Sequence, residues 1–308
     1  MKRRAELIHT YSIIAIDKER GEMGGAVQSH YFSVGGSVIW AQAGTGVIAT
    51  QAMVNIEYGP QGLSLLKKGF SSEKVINLIT SKDSNAPIRQ VAALDCSGGI
   101  QAFTGSKTIT EAGHIVGENY SCQANMMLKN TVWSAMAQSF EESSGPLAER
   151  LLISLEAAEA EGGDIRGKQS SALTVVSVED KGNIRDNIIV DLRVEDHSEP
   201  LGEMRRLLTI HKAYTHAALG DLAIEKGDIS RAMDEFAEAE KLIPENIELQ
   251  FWKAVSLINH FNFSQAEPIL KKVFRIDNNW KILLQRLTGS EIIKRDEEIQ
   301  KFLDFLCK

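Results

Sequence analysis

The 308-residue chain has three cysteines, Cys96, Cys122 and Cys307, and no two of them form a CxxC pair. That argues against a disulfide framework or a cysteine-ligated zinc site, and makes a reduced, cytoplasmic setting the expectation. Basic charge is not in surplus. The 34 Lys and Arg stand against 41 Asp and Glu, for a formal net charge of −7, so no nucleic-acid partner is expected. No apolar run reaches the ~18 residues of a membrane span, so no membrane contact is expected either. Met1-Lys2-Arg3-Arg4 looks like the start of a signal peptide, but Glu6, His9 and Asp17 break up the apolar stretch that would have to follow. Also missing are a GxGxxG after a strand, a P-loop, an HExxH and a GxSxG elbow. The histidines show no metal-ligand spacing, so no metal or other cofactor is expected. His114 precedes Cys122 by eight residues. A Cys/His nucleophile pair there competes with the plainer reading of a buried thiol.

What is present falls into two compositions. Up to about Pro200, apolar runs alternate with turns. Residues 10–16 and Met23 to Ser29 read as a hairpin across Asp17–Glu22, and Val38 to Gln42 with Gly46 to Gln51 as a second. Helical periodicity starts after Gly59-Pro60-Gln61-Gly62, and a second helix follows the start signal Ser71-Ser72-Glu73. Gln90 to Leu94 and Ile100 to Thr104 form another hairpin, residues 126–142 and 146–160 two more helices, and Ser171 to Val178 and Ile188 to Val194 the last strands. Hairpins separated by helix pairs predict an α+β layering of antiparallel sheet under helices.

Beyond Pro200 the strand signals vanish. Leu219, Gly220, Ala232, Phe236, Ala239 and Pro244 match the tetratricopeptide (TPR) pattern, with small residues where two helices cross and a proline to stop the second. Ala254, Leu257, Ala266, Leu270 and Val273 repeat it one period later, with Asn278 in place of the proline and Pro268 inside the second helix. The tail reads either as a helical extension that packs or dimerises, or as a groove for a protein partner. So short an array favours docking against something, because each repeat needs a neighbour to bury its face.

Two polar clusters stand out in the first part. One is the pair of hydroxyls Thr10 and Ser12 at a strand start. The other is the run Gly162 to Ala172, where Asp164 and Arg166 either lock a turn or bind a carboxylate-bearing ligand.

The residues Thr10-Tyr11-Ser12-Ile13, Val27-Gln28-Ser29, Trp40 to Gly46, Ala49-Thr50-Gln51, Asn55, Tyr58-Gly59-Pro60, Gly62-Leu63, Ala102 to Gly105, Gly113-His114, Gln123 to Met126, Gly162 to Ala172 and Asp191 to Val194 resemble, in order, the family called domain of unknown function 1028. The resemblance covers about residues 10–205 and places the chain with the N-terminal-nucleophile (Ntn) hydrolases. It implies a four-layer α-β-β-α sandwich over residues 10–203; the all-α TPR-like domain read from the repeat pattern follows over 204–308. It implies an amidohydrolase acting on a small or peptide-like amide, with Thr10 as nucleophile and its free α-amine as base. Backbone N–H groups at Thr50 and Gln51 would serve as oxyanion donors, and Ser29 would bond the amine or nucleophile. Asn55, Asn125, Asp164, Arg166 and Gln169 would line the substrate pocket. A homo-oligomer is expected by analogy.

Members of that family commonly begin Met-Thr, whereas here residues 1–9 precede Thr10. An amide nitrogen is not a base, so three readings follow. Residues 1–9 are a propeptide removed before Thr10, for instance by N→O acyl shift; or the start is misassigned; or the chain is a non-catalytic ligand-binding or scaffolding protein whose tail recruits a partner.

Overall fold

The computed structural model describes residues 7–290 and 292–306. Of the extension expected before Thr10, residues 1–6 lie outside them, as does Cys307. The chain divides into two compact units, Met1–Arg206 and Leu207–Lys308.

The first unit contains β1 (Leu7–Ile8), β2 (Thr10–Asp17), β3 (Glu22–Ser29), β4 (Ile39–Gln42), β5 (Gly46–Met53), α1 (Tyr58–Lys67), α2 (Ser72–Ser81), β6 (Arg89–Asp95), β7 (Ile100–Thr104), β8 (Gly113–Val116), β9 (Tyr120–Ala124), α3 (Val132–Glu142), α4 (Leu147–Ala160), β10 (Ser170–Ser177), α5 (Ile184–Asn187) and β11 (Ile188–Val194). The strands form two antiparallel sheets. One runs β1-β5-β6-β7 with β4 also on β5, and the other runs β11-β10-β3-β2-β9-β8. Strands β4 and β1 share one edge of β5 in succession: Ile39 pairs with Ala49 and Gln42 with Gly46, then Ile8 with Ala52 and Leu7 with Met53.

The alternation of side chains along a strand sorts the core. Ile14 and Ile16 of β2, Met23 and Val27 of β3, Val47 and Ala49 of β5, and Ala92 and Leu94 of β6 make one buried cluster. Its members come from both sheets, so it fills the space between them. The opposite parity on β5 and β6, Ile48, Val91 and Ala93, packs instead on Tyr58 and Leu66 of α1 and Val75, Ile76 and Ile79 of α2. Helix α4 lies against β2 and β3, and α3 against β9. Local signals set the helix starts. The Ser71 hydroxyl accepts from the Lys74 N–H and caps α2. Gly59 lets α1 approach Trp40 of β4, whose ring would stand 2.4 Å from an added Cβ.

Two differences from the sequence expectation have a common cause. Strands β8 and β9 lie where no strand was expected, because His114, Ser121 and Gln123 put polar groups at inward positions and spoil the apolar alternation. The helix expected from residue 126 begins only at Val132, because Met127 bridges to Asp164 and the Leu128 N–H bonds the Gly163 carbonyl.

The unit boundary falls within α6 (Pro200–Glu225). The second unit continues with α7 (Ile229–Leu242), α8 (Ile247–Asn259), α9 (Phe263–Ile276), α10 (Asn279–Leu287) and α11 (Glu297–Leu306). Phe251, Leu257, Ile258, Leu270, Val273, Leu284 and Leu303 are among its buried residues. Phe236 packs where Gly220 has no side chain; an added Cβ there would lie 2.6 Å from its ring. Helix α7 ends at Leu242, just before Pro244, and α9 keeps Pro268 in its interior. Among the described residues, no helix is long and apolar enough to cross a membrane.

Candidate functional site

The N-terminal end of β2 sits at the centre of its sheet, between β3 and β9, with Thr10 opposite Ser29 and Tyr11 opposite Ala124. Thr10 and Ser12 have the parity of Ile14 and therefore face the other sheet. At this end of the inter-sheet space the filling is polar. Thr10, Ser12, Ser29, Gln51, Gln90, Ser121, Gln123 and Asn125 are all fully buried. Burying so many polar groups is tolerable only if they bond one another, and they do. Ser12 Oγ donates to Gln51 Oε1 (2.6 Å), and Gln123 Nε2 donates to Ser12 Oγ (2.7 Å). Gln51 Nε2 and Asn125 Nδ2 both donate to Gln90 Oε1, at 2.7 and 2.9 Å. The Thr10 carbonyl accepts from Gln51 Nε2 (3.2 Å) and from the Asn125 backbone N–H (3.1 Å).

Gln90 sets the proton pattern of the network. Its amide nitrogen points at the Ala124 and Gly113 carbonyls, 2.9 and 3.1 Å away, so its oxygen must be the acceptor for its neighbours. Asn125 therefore offers its NH₂ to Gln90 and keeps Oδ1 as an acceptor. His9 Nδ1 lies 2.7 Å from that Oδ1, which makes His9 the Nδ1–H tautomer. The other ring nitrogen, Nε2, is buried with no hydrogen-bond partner among the described residues. Burial holds the His9 imidazole below its ordinary pKa; Asn125 pulls it up, the Arg166 guanidinium pushes it further down, and Asp164 opposes.

The peptide bond joining His9 to Thr10 is held by two donors at its carbonyl. Its carbonyl oxygen accepts from Ser29 Oγ at 2.6 Å and from Arg166 Nη2 at 2.9 Å. Asp164 fixes the guanidinium by taking Nε at 3.0 Å and Nη2 at 2.7 Å on its two oxygens, a forked pair. The Asp164 carboxylate is itself buried, and it also accepts from the Arg166 backbone N–H at 2.9 Å. Two non-glycine residues with left-handed backbone follow network members directly: Ala52 (φ 71°) after Gln51, and Met126 (φ 58°) after Asn125. Such conformations cost of order 1 kcal/mol each and concentrate at functional sites.

Of the residues singled out from sequence, Thr10, Ser29, Gln51, Asn125, Asp164 and Arg166 converge on this bond and its network. Three do not. The Thr50 N–H is committed to the Val38 carbonyl (3.0 Å) and its hydroxyl to the Asn55 carbonyl (3.2 Å). The Asn55 side chain accepts from the Glu57 N–H at the entrance to α1 (3.3 Å). Gln169 turns its amide to Asp196 (3.0 Å). His114 and Cys122 are separated by the sheet. His114 Nδ1 lies 2.8 Å from Thr104 Oγ1 on the inter-sheet side, whereas the Cys122 thiol is buried on the helix side with its pKa pushed up by burial. His9, Gln90 and Gln123 were missed. The signal available for the two glutamines was a long polar side chain at an inward parity inside an apolar strand. Among the described residues, no cluster of His, Cys, Asp and Glu is suited to a metal ion.

Residues 10–204 match the model of a family described as of unknown function, DUF1028. The chain belongs to that family. Its fold is similar to the crystal structure of protein SPO2555 from Silicibacter pomeroyi, described as of the same family, at 33% identity and a TM-score of 0.59 over 65% of this chain and 84% of that one. Among proteins of curated function, none matches the chain.

Proposed function

We propose that the first unit is an Ntn-type amidohydrolase whose nucleophile, Thr10, is freed by scission of the His9–Thr10 bond. The observation that carries this reading is the double hydrogen bond to the His9 carbonyl. Ser29 and Arg166 donate to the one oxygen that would gain negative charge if Thr10 Oγ1 attacked the adjacent carbonyl carbon. Two sheets packed face to face with helix pairs outside them support the four-layer Ntn-like sandwich, and a strand-start threonine stands where that chemistry needs it.

In the first reaction the Oγ1–C bond forms, the hydroxyl proton passes to the Thr10 nitrogen, and the C–N bond breaks. This leaves an ester and a free amine. Water then adds to the ester carbon, releasing the His9 carboxylate and restoring the hydroxyl. The new α-amine has an ordinary pKa near 7.7–8.0 and accepts a proton readily at neutral pH. In each later cycle that amine takes the hydroxyl proton and delivers it to the leaving amine of a small or peptide-like amide. Ser29 and Arg166 hold the oxyanion in place of the Thr50 and Gln51 backbone donors expected from sequence.

The binding-module alternative draws on one observation: in the uncut chain residues 7–9 occupy the site themselves. In either reading the second unit is proposed as a TPR-like module for a protein partner, and the whole as a cytoplasmic homo-oligomer. A panel of amides assayed with wild type and Thr10→Ala separates the two readings. Turnover that vanishes in Thr10→Ala supports the hydrolase, and turnover indifferent to Thr10, or none at all, removes it.

A further inference from the structure

We infer that the acyl side of the site is a peptide subsite, one that accepts an extended chain on the edge of β5 and selects a residue bearing an N–H donor, histidine foremost, next to the scissile carbonyl. The inference rests on the Thr10 reading and adds a substrate class to it.

One nucleophile serves both reactions. The acyl group cut from Thr10 and the acyl group of any substrate must pass through an ester on the same Oγ1, so both sit where His9 now sits. That place has three recognition features. First, Leu7 and Ile8 add to β5 as an antiparallel strand opposite Met53 and Ala52. Backbone pairing of this kind binds any extended peptide, whatever its sequence. Second, Ser29 and Arg166 grip the carbonyl. Third, the His9 ring is almost fully buried and donates Nδ1–H to Asn125 Oδ1. The acceptor role of that oxygen is imposed by Gln90, so Asn125 cannot turn to suit a different side chain. An acyl residue without a donor leaves Asn125 Oδ1 buried and unpaired, and sites built around a hydrogen bond discriminate strongly against ligands lacking it. Arg166 beside the carbonyl disfavours a cationic side chain there and suits the carboxylate left after hydrolysis. The released acid is therefore a competitive inhibitor.

The test uses peptide amides Leu-Ile-X carrying one common fluorogenic amine, with X as His, Gln, Ala, Leu or Lys, on the full-length protein as it matures. The inference expects kcat/KM for His to exceed that for Ala, Leu and Lys at least tenfold, Gln to lie between, and Leu-Ile-His free acid to inhibit competitively. A flat profile, or preference for Leu or Lys, overturns it while leaving the hydrolase intact. If no amide is turned over, the hydrolase reading itself falls. Calorimetry with Leu-Ile-His and Leu-Ile-Ala free acids, on protein whose intact mass shows residues 1–9 removed, then decides the subsite alone; a chain that keeps them removes the inference together with the hydrolase. A tenfold preference for the His peptide supports it; equal or absent binding overturns it.

Discussion

Between the sheets, one end is filled by Ile14, Ile16, Met23, Val47 and Leu94, and the other by Ser12, Gln51, Gln90, Gln123 and Asn125. The strands are the same and the parity is the same; only the chemistry changes along them. The apolar end needs nothing but volume and shape. The polar end needs each amide oriented by the next, and that orientation runs without a break from the Gly113 and Ala124 carbonyls through Gln90 and Asn125 to the His9 ring. A fold seeking stability alone would extend the apolar filling. The polar end is therefore the part of the core shaped by something other than packing, and it is the end that holds the bond before Thr10.

If that division is right, mutations at the two ends behave differently. The largest effect falls on reactivity. Arg166→Ala removes one of the two donors on the His9 carbonyl and slows both scission before Thr10 and amide turnover by about 10²–10³-fold, measured by intact mass over time and by the amide assay. Next is the apolar end. Ile14→Ala opens a cavity and lowers unfolding free energy by about 3 kcal/mol in urea titration, with the scission rate unchanged; a scission rate that fell with it would erase the contrast. Gln90→Leu removes the hub of the polar end, costing about 2 kcal/mol for the partners left unpaired, and it does slow scission, because Asn125 loses its fixed orientation. The smallest effect is on pH. The His9 imidazole is held below its ordinary pKa, so the seated ring binds fewer protons than a free one. Seating of residues 7–9 is therefore fully favourable above about pH 6.5, and weakens as pH falls below that value. In Thr10→Ala, which keeps the segment attached, amide protection at residues 8–10, taken relative to the intrinsic exchange rate at each pH, falls on acidification, and His9→Gln abolishes the dependence.

Much of the first unit was legible in the sequence because its strands announce themselves. Residues 10–16, Met23 to Ser29 and Gly46 to Gln51 are apolar runs between turn residues, and they became β2, β3 and β5 within a residue or two. The Ser71 cap marked the start of α2. Legibility failed where function competes with packing. Strand β9 hides because its inward residues are Ser121 and Gln123, and the stretch from Met126 is spent on the Asp164 loop rather than on helix. Thr10, Asp164 and Arg166 were visible as polar residues at strand starts and in an unusual loop. The partners that orient them were not, since a lone Gln90 inside an apolar strand acquires meaning only when two sheets bring it to Asn125 and Gln51. Thr50 and Asn55, pointed to by the family resemblance, spend their side chains on the local turn into α1, and Gln169 spends its amide on Asp196.

The central claim concerns one bond and is tested most directly by the intact mass of the untagged full-length protein beside that of Thr10→Ala. The account predicts that wild type matures to a chain beginning at Thr10, with Thr10→Ser cut more slowly and Thr10→Ala keeping residues 1–9. Wild type that retains those residues indefinitely, or Thr10→Ala cut at the same position, would contradict it.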